Sequence, residues 1–68
     1  KMKVIGINGA TAEFMGTMER NRDGSITLYA TIEPEGLLFQ EKFLGYSKAL
    51  AKRKFKDSLQ VEVDKYFA

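Results

Sequence analysis

The fold is decided by one stretch of the chain, Phe43-Leu-Gly-Tyr-Ser-Lys-Ala-Leu-Ala-Lys-Arg-Lys-Phe-Lys-Asp-Ser-Leu59. Its first residues continue a strand that Gly45 interrupts, because glycine weakens a strand interior and permits a change of chain direction. Ser47 follows at the position of a helix N-cap, where its hydroxyl can accept a hydrogen bond from the second or third helical amide. The stretch therefore predicts a strand-to-helix junction.

The helix that begins at this junction is amphipathic. Ala51, Phe55 and Leu59 recur every four residues and form an apolar stripe on one face. Tyr66 lies near the same line, and no Gly, Pro or Asn follows Leu59. We therefore expect the helix to continue rather than give way to a short strand over residues 59–64.

Three turn signals divide the preceding segment into four strands. They are Asn8-Gly9, the basic loop of residues 20–24 and the Pro-Gly segment of residues 33–36. Because consecutive strands joined by short turns pair antiparallel, the pattern predicts a meander. The whole chain, residues 1–68, is then a single α+β domain in which a four-stranded antiparallel β-meander precedes one C-terminal α-helix packed on one sheet face.

The register of the first hairpin follows from Asn8-Gly9. This dipeptide favours a two-residue type I′ turn, which needs a positive φ at both central residues. Such a turn places Ile7 opposite Ala10 and Ile5 opposite Ala12. Both isoleucines are therefore predicted to face the core.

Alternation along the other strands assigns the remaining side chains to two faces. The face under the helix is predicted to carry Ile5, Ile7, Phe14, Met18, Ile26, Leu28 and Ile32. The uncovered face is predicted to carry Thr11, Glu13, Met15, Thr17, Ser25, Thr27, Tyr29 and Thr31, with Met2, Val4 and Leu38 at its margins. In the fourth strand Glu41 shares a face with Leu37, Phe39 and Phe43, which predicts a bulge or an exposed end.

Composition excludes several chemistries. The chain has no cysteine and no histidine, so thiol catalysis, Ser-His-Asp chemistry and structural zinc are excluded. Gly6-Ile-Asn-Gly9 lacks the lysine and the spacing of a phosphate loop. The carboxylates fall on strand surfaces and turns, where no cleft separates their pKa values. We expect neither an enzyme nor a bound cofactor or metal.

Hydropathy is that of a soluble protein. No run approaches the roughly 20 apolar residues that a membrane span needs. The N-terminal segment also lacks the apolar core of a secretory signal. The expectation is a cytoplasmic protein without a membrane partner.

Charge is distributed unevenly although the formal net charge is only +2. Residues 42–56 contain six basic residues and no acid, while the rest of the chain has five basic residues against nine acids. On a helix, Lys52, Arg53 and Lys56 cover one arc beside the apolar stripe. This arc is either a phosphate-contacting surface or the ordinary solvated face of a helix.

The uncovered sheet face offers a second surface. Met15, Thr27, Tyr29 and Thr31 form its centre, and apolar side chains grouped there indicate an interface. A sheet with one helix can be covered on only one face. A protein partner or a homodimer is therefore the alternative to a nucleic-acid partner.

Residues 20–59 also resemble a known family. A basic loop with Asp23-Gly24, a strand, a Pro-Gly turn and a second strand precede Phe43-Leu-Gly-Tyr-Ser-Lys-Ala-Leu-Ala-Lys. This order is similar to the sheet-plus-helix arm-binding domain of tyrosine recombinases of phages and conjugative elements. The resemblance implies a sheet laid in the major groove of DNA. The residues to which it points are Arg20, Arg22, Thr27, Tyr29 and Lys42.

The sequence thus predicts a small non-catalytic binding module that binds nucleic acid or acts as a regulator. Backbone phosphates would be contacted by Arg20, Arg22, Lys42, Lys52, Arg53 and Lys56. Tyr29 would stack on bases or contact their edges. The alternative is a protein-interaction module that homodimerises or docks a partner through the open sheet face.

Overall fold

The computed structural model describes residues 2–15 and 19–67, which form one antiparallel sheet and one helix. The elements are β1 (Lys3–Ile5), β2 (Thr11–Met15), β3 (Ile26–Glu33), β4 (Leu37–Phe43) and α1 (Lys48–Lys65). Each strand pairs antiparallel with the next, in the order β1-β2-β3-β4, and α1 packs on one sheet face. The predicted α+β meander with a C-terminal helix is confirmed.

The strand-to-helix junction forms as predicted. Ser47 is the N-cap of α1, and its hydroxyl accepts a hydrogen bond from the Leu50 amide at 3.2 Å. The helix continues to Lys65, which confirms that residues 59–64 are helical. No helix of the described residues is long and apolar enough to cross a membrane.

The core lies between α1 and the sheet and is centred on the Phe55 ring. This ring stacks on Phe39 at 5.7 Å between centroids and meets the edges or faces of Phe14 and Phe43 at 6.3 and 6.5 Å. The alternating side chains of β3 complete the packing as predicted. The fully buried members of this core include Ile26, Leu28, Ala30, Ile32, Ala51, Leu59 and Val63.

The predicted register of the first hairpin is wrong by one residue. Ile5 pairs with Thr11, and Val4 pairs with Ala12. Because side chains alternate between faces, this shift exchanges the two faces of β1. Val4 is buried, as is Met2, whereas Ile5 and Ile7 are 65% and 81% exposed.

Contacts with the distant end of α1 set this register. The Ile7 amide donates to the Asp64 carboxylate at 2.9 Å, and the Asn8 side-chain amide donates to the Tyr66 carbonyl at 3.1 Å. Gly6 lies directly against the Val63 carbonyl. The turn is therefore held by the helix end and spans more than the two residues that a type I′ hairpin would need.

Two further expectations are corrected or refined. Ser25, predicted on the open face, is buried, where its hydroxyl donates to Asp23 and accepts from the Asn21 amide. β4 has no bulge, because its seven residues pair continuously with β3, but its first residue, Leu37, is an exposed end. The predictions for Thr17 and Met18 lie outside the described residues.

Candidate nucleic-acid interface

An open groove of about 400 Å³ lies between the basic face of α1 and the start of β1. It is lined by Met2, Ala49, Lys52, Arg53 and Lys56. The small Ala49 side chain and the nearly buried Met2 side chain supply its apolar part. The three cations that the sequence placed on one helix arc therefore converge on one surface.

Helical geometry explains this convergence. The lining residues of α1 are spaced at i, i+3, i+4 and i+7, which places them along one face. The same spacing could have identified Ala49 from the sequence. Met2 was missed because its position depends on the β1 register, which local patterns assigned to the opposite face.

The groove cations are unpaired in the described part of the chain. Among residues 2–15 and 19–67, no hydrogen bond or ion pair joins Lys52, Arg53 or Lys56 to another side chain. By contrast, the Lys54 ammonium lies 5.8 Å from the centroid of the Tyr46 ring, where a cation–π contact holds it away from the groove. The positive charge of the groove is thus available to an anionic ligand.

Two other predicted cations, Arg20 and Lys42, are engaged by the loop of residues 20–24. The Arg20 guanidinium donates to the Gly24 carbonyl at 2.9 Å, and Lys42 forms an ion pair with Asp23 at 3.1 Å. Hydrogen bonds from the Ser25 hydroxyl and amide, with the Lys42 ammonium, hold the pKa of the Asp23 carboxyl well below its usual range. Asp23 is ionised at neutral pH, and its ion pair with Lys42 lies on the surface, with both side chains more than half exposed. Arg22 lies exposed in the same turn.

The open sheet face carries the predicted interface residues in adjacent rows. Met15 lies beside Tyr29, and Thr31 lies next to Leu38 on β4. The Thr31 hydroxyl also contacts the Met15 sulfur. Thr27 faces Lys42, and its hydroxyl accepts from the Asn21 side chain at 2.8 Å.

The residues predicted to bind nucleic acid consequently fall into separate groups. Lys52, Arg53 and Lys56 share the groove on the helix side of the sheet. Tyr29 and Lys42 lie on the face that the helix leaves open, since both pair in register with residues of that face. A single flat ligand cannot contact both groups, because the sheet separates them.

The described residues contain no group of three or more His, Cys, Asp or Glu side chains that could hold a metal ion. One other titratable contact is notable: the Tyr66 hydroxyl donates to the Glu35 carboxylate at 2.6 Å, which raises the pKa of Tyr66. This bond ties the end of α1 to the β3–β4 turn. It is structural and lies at the other end of the helix from the groove.

A comparison of the chain with protein-family models, with curated proteins and with solved structures found no match.

Proposed function

We propose that the protein binds nucleic acid through its phosphate backbone, with the groove of Lys52, Arg53 and Lys56 as the contact surface. The observation that carries this proposal is the convergence of three cations without an internal acidic partner among the described residues. Cations in such an arrangement gain binding energy by displacing condensed counterions from a polyanion.

The charge distribution favours the helix groove over the sheet face as the contact surface. On the sheet face, Lys42 is already paired with Asp23, and no residue of β3 is basic. The DNA-binding mode implied by the resemblance to arm-binding domains would use that sheet face. The proposal rests on the groove and therefore does not depend on the resemblance to arm-binding domains.

The test is a charge reversal with a matched control. Lys52→Glu combined with Lys56→Glu is expected to weaken binding of a labelled DNA duplex by about tenfold or more, measured by fluorescence anisotropy at low salt. Lys48→Glu combined with Lys54→Glu changes the net charge equally on the same helix but outside the groove. We expect this control to weaken binding less than the groove variant does, since its side chains lie outside the groove, and the difference should widen as added salt screens the long-range effect of the charges.

Salt dependence provides an independent readout. Three phosphate contacts predict a slope of about −3 in a plot of log affinity against log salt for duplex DNA. The groove variant should lose about two of the three contacts, so its slope should be about −1. Equal losses in the two double variants would contradict a localised site. Absence of binding by the unmodified chain to DNA or RNA, duplex or single-stranded, at low salt would contradict the proposal itself.

A second candidate function is protein binding through the open sheet face. It is favoured by apolar side chains exposed there: Met15 pairs with Tyr29, and Leu38 lies diagonally across from Tyr29. Exposed apolar groups that adjoin each other on a sheet are typical of interaction surfaces.

This candidate predicts a homodimer or a complex with another protein that is detected by sedimentation. Met15→Asp or Tyr29→Asp should abolish it, because either substitution would bury a carboxylate in the interface. The fold should remain intact, since both positions are solvent-facing. Val61→Asp, on the exposed face of α1, serves as the control. A complex that survives both sheet-face variants would rule this surface out.

A further inference from the structure

The two edge strands of the sheet, β1 and β4, differ in whether side chains bond to their outer backbone. At β1, the Gln60 side chain donates to the Ile5 carbonyl at 3.0 Å, and Asp64 accepts from the Ile7 amide at 2.9 Å. At β4, within the described part of the chain, no side chain or further strand bonds to the backbone on the side away from β3. An edge strand of this kind is a template for pairing with another strand.

The two charged side chains of β4, Glu41 and Lys42, both contact other residues of the chain. Free lysine or glutamate side chains on an edge strand normally oppose pairing. Here Lys42 is paired with Asp23, and Glu41 is turned toward the helix side, where Ser58 donates to it at 3.4 Å. Neither charge therefore stands without a partner on the edge, within the part of the chain that the structure describes.

Exposed apolar side chains lie at both ends of the strand. Leu37 and Leu38 begin β4, and Leu44 follows it; Leu38 is 56% and Leu44 is 67% exposed. An antiparallel copy of β4 would bring the N-terminal end of the strand in one copy against the C-terminal end of the strand in the other.

We propose that β4 pairs antiparallel with β4 of a second copy, with Gln40 opposite Gln40 of the second copy. Opposed residues must share a sheet face, so the register can change only in steps that keep this parity. A register centred on Glu41 would oppose two glutamates, and one centred on Lys42 would oppose two lysines. Centring on Gln40 avoids both and pairs all seven residues of β4.

At the strand ends this register opposes Leu37 to the largely buried Phe43 and Leu38 to Lys42, while Leu44 lies beyond the paired residues. Leu37 of one copy lies opposite Phe43 of the other, and both side chains face the helix side, because they pair with Ile32 and Ile26 of β3. The two-fold axis is perpendicular to the sheet, so an eight-stranded sheet forms with both helices on one side. The inference does not rest on the nucleic-acid proposal, although the dimer would present both basic grooves to the same side.

The chain has no cysteine, so single cysteines report the register directly. Opposed residues of an antiparallel pair have Cα atoms about 4.5–5.5 Å apart, within the range of a disulfide. The Gln40→Cys variant should therefore form a disulfide-linked dimer under mild oxidation. The Leu38→Cys and Lys42→Cys variants should not cross-link by themselves, since like residues would be roughly 13 Å apart, but should cross-link when mixed.

Sedimentation of the unmodified chain is expected to show a dimer. A monomer at all attainable concentrations would overturn the proposal. So would a dimer in which Met15→Cys cross-links as well as or better than Gln40→Cys, because that result assigns the contact to the open sheet face.

Discussion

Replacing Phe55 with alanine is expected to lower the free energy of unfolding by about 3–5 kcal/mol. The Phe55 side chain is fully buried, and its ring contacts Phe14, Phe39 and Phe43. Truncation removes the transfer free energy of the ring and leaves a cavity that three other rings cannot fill without leaving their rotamers. Since a domain of this length has a stability of roughly 3–10 kcal/mol, the variant should be largely or partly unfolded.

Urea denaturation followed by far-ultraviolet circular dichroism measures this loss. Val61→Ala is the matched control, because it removes an exposed aliphatic side chain from the same helix. Its effect should stay within about 0.5 kcal/mol. A loss of less than about 1 kcal/mol on Phe55→Ala would contradict the assignment of this ring to the centre of the core.

Replacing Gly6 with alanine is expected to lower the free energy of unfolding by about 2–3 kcal/mol, as overpacking does. A Cβ atom at this position would overlap the Val63 carbonyl oxygen and lie 2.8 Å from its carbonyl carbon. Both are backbone atoms in a helix, so relief requires that β1 and the end of α1 separate. The expected direction is opposite to the usual gain of about 0.4–1 kcal/mol for Gly→Ala at a compatible backbone conformation.

Hydrogen exchange distinguishes this mechanism from a general loss of stability. In Gly6→Ala the Ile7 amide should exchange faster relative to the amides of β3, because its bond to Asp64 depends on the same contact. Gly9→Ala is the control: a Cβ there meets no atom within 4 Å, but φ is +96°. It should cost about 1–2 kcal/mol through the backbone alone and leave the Asp64 bond intact. Unchanged stability in Gly6→Ala would show that the helix end moves aside freely.

Features that depend on neighbouring residues could be predicted from the sequence. The alternation of β3 and the N-cap at Ser47 are local patterns, and the structure confirms both. The same is true of the helix arc that brings Lys52, Arg53 and Lys56 together. Each follows from the period of one element and needs no knowledge of what packs against it.

The β1 side of the molecule could not be predicted in this way. Asn8-Gly9 indicates a tight hairpin, but the hydrogen bonds of Ile7 and Asn8 to the end of α1 join residues more than 50 positions apart. These bonds, with the close approach of Gly6 to Val63, favour the longer turn. A local turn preference is worth too little to outweigh them.

By itself, then, the sequence determined the order of the elements, the Phe43–Leu59 junction and the cationic arc of α1. Only the tertiary structure decided that Met2 rather than Ile5 or Ile7 lies under the helix and lines the groove. It also decided that side chains of α1 cover the β1 edge, whereas no described residue covers the β4 edge. The physical reason is the two-residue period of a strand: a register shift of one residue exchanges its faces, and long-range contacts choose between the two registers.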